Sequence, residues 1–144
     1  MNWFKRLFGN PTPVAEPVGS LNEELRQVRE SIKSAGSTDG VHYTDTVETI
    51  KQLKRESRHE EAAALLIQSI EATERESRFA GEGWGVAPWY YEQLAIIYRK
   101  DKRYEDEVAI LERYKAQPKA PGSGPAKLKE RLSAAKKLAR SHKA

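Results

Sequence analysis

The chain has 144 residues and a formal net charge of +4; 38% of its residues are hydrophobic and 32% are charged. This length suits one domain, and the composition excludes the apolar-poor class of fully disordered chains. The chain has no cysteine, which excludes disulfides, thiolate metal sites and cysteine nucleophiles.

The sequence has no run of about 20 apolar residues, which is the length that a membrane-spanning helix needs. Residues 1–8 also lack the apolar core and the cleavage site of a secretory signal. We therefore expect a soluble, cytoplasmic protein.

Residues 1–19 are predicted to be a flexible N-terminal peptide followed by a proline-rich linker. In a short helix, the large apolar side chains of residues 1–10 fall on one side, beside Lys5 and Arg6: Trp3, Phe4, Leu7 and Phe8. These four are candidate membrane contacts, because such a segment can lie in the bilayer interface. The protein would then be peripheral to the membrane. Docking onto the protein's own helices and simple disorder are the alternatives.

Residues 20–144 are predicted to be a helical domain that begins with a helix over residues 20–35. Ser20 and Glu23 have the spacing of a capping box. Apolar residues then follow at steps of four, three and four, which places them on one narrow face of a helix: Leu21, Leu25, Val28 and Ile32.

Four more helices are predicted between residues 45 and 118, and none of the chain alternates with the period of a strand. Capping pairs are expected at Asp45/Glu48 and Ser57/Glu60, and Pro88 suits a first helical position. A second linker covers residues 118–125, and an amphipathic basic helix covers residues 126–141. The predicted fold class is all-α.

The strongest pattern is an internal repeat. Residues 58–66 read RHEEAAALL and residues 103–111 read RYEDEVAIL, at a constant offset of 45. A helix with one apolar face cannot bury that face alone, so repeated helix pairs stack on each other. The sequence therefore predicts two similar helix pairs.

These pairs resemble the tetratricopeptide repeat over residues 43–118. Six positions of the second copy match the family's pattern: Leu94, Ala95, Tyr98, Tyr104, Leu111 and Pro118. Glu107 and Ile50 stand where the family has small residues, and the offset of 45 exceeds the family's spacing of about 34. The resemblance implies a short helical solenoid that binds a protein or peptide. Residues 83–98 are also similar to helical segments that accompany the HIRAN domain in bacterial proteins, which implies a link to DNA.

No pattern for catalysis, cofactor binding or metal binding is found, so we expect a protein that is not an enzyme. His42, His59 and His142 are scattered, whereas metal ligands cluster. His59 is expected to pack, and the other two to be solvated. The chain also lacks a nucleophile elbow and a phosphate-binding loop.

Two groups of residues are candidate binding sites. Aromatic residues are enriched at binding hot spots. A peptide groove would also use cations from the first helix of each pair. The candidate partner-binding residues are therefore Trp84, Trp89, Tyr90, Tyr91, Lys51, Arg55 and Arg99. The alternative is that these aromatics pack the connection between the pairs.

Residues 118–144 hold eight cations and one glutamate, and the candidate basic patch comprises Lys127, Lys129, Arg131, Lys136, Lys137 and Arg140. A patch of this kind can bind nucleic acid, although a solvated cationic face on a capping helix is the commoner outcome.

We expect an adaptor that presents a helical face to a protein or peptide. A nucleic-acid-associated role through the basic helix is the first alternative, and a membrane-attached adaptor is the second. Two repeats are few for stability, so residues 20–34 and 126–141, or a second copy of the chain in a homodimer, are expected to cover the ends.

Overall fold

A computed structural model of the protein describes residues 16–143. This part is mostly helical, as predicted, and also contains one small two-stranded sheet that was not predicted. In chain order its elements are α1 (Glu16–Ala35), β1 (Ser37–Thr38), β2 (Val41–His42), a 3-10 helix (Tyr43–Thr46), α2 (Val47–Arg55), α3 (His59–Ala80), α4 (Pro88–Lys100), α5 (Tyr104–Lys115) and α6 (Gly124–Ser141). The two strands pair antiparallel, with Ser37 opposite His42.

The described part of the chain divides into two units, with the boundary between Ile32 and Lys33. In the first unit, α1 begins at Glu16, four residues before the predicted start. Proline is tolerated in the first turn of a helix, where its missing N–H has no intrahelical partner, so Pro17 does not prevent this earlier start. Ser20 therefore lies inside α1, and the capping box predicted there is wrong.

In the second unit, each helix from α2 to α6 packs against the next one, and α4 also packs against α6. One apolar cluster joins these helices. The large side chains that are fully buried in it include Tyr91, Ile50, Leu66, Ile70, Leu94, Ile97 and Leu111.

The turns inside the first helix pair (α2–α3) and the second helix pair (α4–α5) are the same at an offset of 45 residues. Ser57 and Lys102 both adopt the left-handed backbone conformation, with φ of 57° and 58°. The next residue closes each turn. Arg58 N–H donates to Leu53 O at 2.9 Å, and Arg103 N–H donates to Tyr98 O at 2.8 Å. Both the donors and the acceptors are 45 residues apart. The offset predicted from the repeat is therefore confirmed. The Ser57/Glu60 capping pair is wrong, because the N-cap of α3 is Arg58 and backbone bonds close the turn.

Packing positions also correspond between the two helix pairs. Pairs of residues that lie 45 positions apart and are buried in both copies include Ile50 and Ala95, Ala62 and Glu107, and Leu66 and Leu111. In the second of these pairs, a carboxylate occupies the place of a methyl group.

The loop after α3 is held against the loop after α5. Val86 N–H donates to Pro118 O at 3.0 Å, and Val86 forms a parallel bridge with Lys119. Gly85 fits this contact because a Cβ there would lie 2.0 Å from Ala120 N. The segment 118–125, predicted as a linker, is thus packed where it begins.

Replacing Gly85 by alanine should lower the free energy of unfolding by about 2 kcal/mol, because the added methyl group overlaps backbone atoms that cannot rotate away. Urea unfolding followed by circular dichroism measures the change. Gly19→Ala is the control, since a Cβ at Gly19 meets nothing within 4 Å. An unchanged unfolding midpoint for Gly85→Ala would contradict the close approach of the two loops.

Candidate functional site

The four aromatic candidates for partner binding differ in exposure. Tyr90 and Tyr91 are buried, so the prediction that they contact a partner is wrong. Their apolar rings complete the core, and their hydroxyl groups have internal acceptors: Tyr90 donates to Tyr43 O at 2.9 Å, and Tyr91 donates to Glu74 Oε2 at 2.7 Å. Trp89 is half-buried, edge-on to Tyr90 with ring centroids 5.0 Å apart. Trp84 is 43% exposed and is the most accessible of the four.

Trp84 is held in place by the buried carboxylate of Glu76. The Trp84 indole Nε1 donates to Glu76 Oε1 at 3.2 Å, and Tyr43 OH donates to the same oxygen at 2.8 Å. The other oxygen lies 2.6 Å from His42 Nε2. Gly36 passes so close that a Cβ there would lie 2.5 Å from Glu76 Oε2. We call these residues the Glu76 cluster.

The backbone determines which nitrogen of His42 carries the proton in the neutral ring. Nδ1 of His42 accepts from Thr44 N–H at 3.3 Å, so Nε2 carries the hydrogen and donates to Glu76. Burial, and to a lesser degree the Glu76 carboxylate, raise the pKa of Tyr43 to about 12. These groups satisfy one another, so the cluster fixes the hairpin and the Trp84 loop onto α3.

Cations from three helices meet on a different surface of the second unit. Lys54 of α2 donates to Gln93 of α4, and Lys127 of α6 lies 3.1 Å from Glu92 of α4. Arg99 of α4 and Arg131 of α6 both contact a single carboxylate, that of Glu107. We define the cationic face as Lys54, Arg99, Lys100, Lys127 and Arg131, with Glu92 and Gln93 between them.

The cations of this face crowd one another. Burial lowers the pKa of Lys54, and the charge of Lys100 lowers it further. Burial also lowers the pKa of Arg131, and Arg99 acts in the same direction. The five cations face two carboxylates, Glu92 and Glu107, which leaves a surplus of three positive charges. A surplus of this kind favours binding of an anion, because the anion stabilises the charged form of each base.

The remaining candidates from α2 lie beside this face. Lys51 is exposed, with its Nζ 3.8 Å from Glu48 Oε1. Arg55 is exposed and donates to Gln52 Oε1 on its own helix. Arg99, predicted as their companion in a groove, is instead committed to Glu107, where its Nε lies 3.0 Å from both carboxylate oxygens.

The predicted basic patch on α6 separates into two sets. Three of its cations point towards acidic residues of α4 and α5: Lys127 pairs with Glu92, Arg131 with Glu107 and Lys136 with Glu112. The others make no salt bridge with another described residue: Lys129, Lys137 and Arg140. The six residues therefore divide into three cations that pair with acidic residues and three that do not.

The buried polar residues are what the sequence interpretation missed. His42 was expected to be solvated but is buried in the Glu76 cluster. Glu74 is buried too, and it accepts two bonds of 2.8 Å from Arg113. The sequence contained one indication of a buried polar residue, Glu107, which occupies a position where the repeat has a small residue. His59, which was expected to pack, is partly buried, and its Nδ1 lies 2.7 Å from Asp101 Oδ1.

The candidate membrane contacts Trp3, Phe4, Leu7 and Phe8 lie outside the described residues. Among the helices that the structure describes, none has the length and apolar character needed to cross a membrane. Within residues 16–143, no three side chains of His, Cys, Asp or Glu form a group that could hold a metal ion. Comparison of the chain with protein-family models, with curated proteins and with solved structures found no match.

Proposed function

We propose that this protein is a non-enzymatic interaction module of the tetratricopeptide type, and that its cationic face binds an acidic segment of a partner protein. The observation that carries the proposal is the meeting of cations from α2, α4 and α6 on one surface, where burial and mutual repulsion lower the pKa of Lys54 and of Arg131. A bound carboxylate would relieve this repulsion.

The repeat supports the assignment to a helical adaptor. The two helix pairs share the same turn at the offset of 45 residues, and α4 packs against both the helix before it and α6. In stacked helix pairs, the first helices of successive pairs line one side. Here α2 and α4 are those first helices, and α6 follows in the position of a third.

Apolar side chains on the same face of α4 favour a peptide over a nucleic acid. Trp89, Ile96 and Lys100 are separated by seven and four residues, which places them along one side of the helix. Trp89 and Ile96 are half-buried, so they offer shallow anchor points beside the charges. Nucleic-acid backbones are instead bound by cations that are free to pair with phosphates. On α6 the cations that are exposed and form no salt bridge with a described residue are Lys129, Lys137 and Arg140.

Charge reversal on the two surfaces tests the proposal. The probe is a fluorescent peptide of about a dozen residues that alternates Glu with Leu, and a single-stranded oligonucleotide serves as the competing polyanion. The double variant Lys54→Glu/Lys100→Glu should weaken peptide binding at least about tenfold, since it adds repulsion at the site. The matched control Lys129→Glu/Lys137→Glu changes the net charge equally and should alter the affinity by less than about threefold.

Circular dichroism of both variants should show that the helices are retained. Equal weakening by the two variants would show that the peptide responds only to net charge, and the proposal would fail. Loss of oligonucleotide binding in the Lys129→Glu/Lys137→Glu variant, with no peptide binding by the wild type, would support the nucleic-acid role in its place.

A further inference from the structure

The apolar stripe of α1 is exposed. Leu21, Leu25 and Val28 are 54%, 44% and 54% exposed, and Ile32, one step further along the helix, is half-buried. Their spacing of four, three and four residues is the heptad pattern in which apolar residues alternate between the a and d positions. With Leu25 and Ile32 at a, Leu21 and Val28 fall at d.

We propose that α1 is a dimerisation helix that pairs in parallel with α1 of a second copy of this chain. A two-stranded coiled coil buries such a seam against an identical seam. This inference does not depend on the cationic face, which lies in the other unit of the chain.

The charges beside the seam identify the occupant. Glu24 occupies the g position and Arg29 the following e position. In a parallel pair, the g residue of one chain lies beside the following e residue of the other. Glu24 therefore meets Arg29 of the second copy, and the two-fold symmetry produces this contact twice.

The opposite face of α1 is already paired within the helix. Arg26 lies 2.5 Å from Glu23 and 3.5 Å from Glu30. Among the residues that the structure describes, Glu24 and Arg29 take no part in these pairs. The two charges that flank the seam are thus available for a contact between chains.

The same residues disfavour an antiparallel pair. In that arrangement g positions lie beside g positions and e beside e. With Leu25 opposite Val28, Glu24 would lie near Ser31 and Arg29 near Asn22, and no opposite charges would meet. Only the parallel orientation uses both charges.

A charge swap in the full-length protein tests the pairing. Sedimentation equilibrium from about 1 µM to about 1 mM should show the mass rising from 16.3 kDa towards twice that value. Glu24→Arg places like charges at both contacts and should weaken the dimer about tenfold. The double variant Glu24→Arg/Arg29→Glu restores opposite charges and should restore the dimer, whereas Leu25→Glu should abolish it.

Cross-linking tests the orientation. The chain has no cysteine, so Leu21→Cys introduces a single thiol. In the parallel pair the two copies of this thiol face each other at a d layer, and mild oxidation should link Leu21→Cys chains to themselves. A mixture of Leu21→Cys and Ile32→Cys chains that cross-links only between the two variants would overturn the parallel arrangement. A wild type that stays monomeric at every concentration, or a double variant as weak as Glu24→Arg, would overturn the proposal itself.

Discussion

Glu107→Ala should lower the free energy of unfolding by about 3 kcal/mol, although the equivalent residue of the first helix pair is itself an alanine. Glu107 is 0% exposed, and its carboxylate neutralises Arg99 and Arg131. Removing it leaves two guanidinium groups facing each other across a buried gap. The expected fall in the melting temperature is on the order of 10 °C.

A compensating variant separates the effect of charge from the effect of the cavity. Arg99→Leu/Arg131→Leu combined with Glu107→Ala removes the whole network and should recover most of the lost stability, because an apolar replacement of a buried ion network costs little. The reciprocal change Ala62→Glu places a carboxylate at the same position of the first helix pair without the arginines. That variant should be destabilised at least as much as Glu107→Ala. A Glu107→Ala protein as stable as the wild type would show that the network contributes no net stability.

Glu76→Ala should also cost about 3 kcal/mol, because it leaves the donors of His42, Tyr43 and Trp84 without their acceptor. The loss should be visible locally as well, as a red shift of tryptophan emission when the Trp84 loop detaches from α3. Urea unfolding and fluorescence on the same samples measure both effects.

Two controls show whether the Glu76 cluster acts as described. Glu71→Ala removes an exposed carboxylate from the same helix and should leave stability and emission unchanged. Gly36→Ala drives a methyl group into Glu76 Oε2 and His42 Nε2, at 2.5 and 2.7 Å, and should reproduce the loss with Glu76 intact. If Glu76→Ala unfolds at the wild-type urea concentration, the cluster does not hold the loop.

Two tyrosines, Tyr43 and Tyr90, are expected to make the fold less stable at high pH. Burial raises the pKa of Tyr43 and of Tyr90 to about 12, above the usual value of about 10. The fold therefore favours the neutral phenols. Their contribution is fully present below pH 10, and it is lost as the pH rises from there through 12.

The cationic face contains residues that stabilise the fold and residues that contribute only to the proposed binding surface. Arg99 and Arg131 belong to both, since they neutralise Glu107 inside and contribute charge outside. Lys54 and Lys100 form no salt bridge with Glu107, which is why the binding test changes them and leaves the arginines intact.

The sequence alone was enough to predict the positions of the helices in the second unit and the repeat offset of 45, because both depend on local periodicity and on residues such as Pro88 that suit the start of a helix. It also indicated that Glu107 departs from the repeat. The sequence did not predict how the turns close. Ser57 has the residue type of a helix cap, but it adopts a left-handed conformation, and backbone hydrogen bonds from Ser57 and Arg58 close the turn.

The tertiary structure decided which charges are buried and which remain on the surface. Glu76 contacts His42, which lies 34 positions away in the sequence, and Glu74 contacts Arg113, which lies 39 positions away. A glutamate on an amphipathic helix has the same local pattern whether it faces water or an arginine. Its environment is determined only when the helices pack, because the cost of burying a carboxylate depends on partners that come from distant segments.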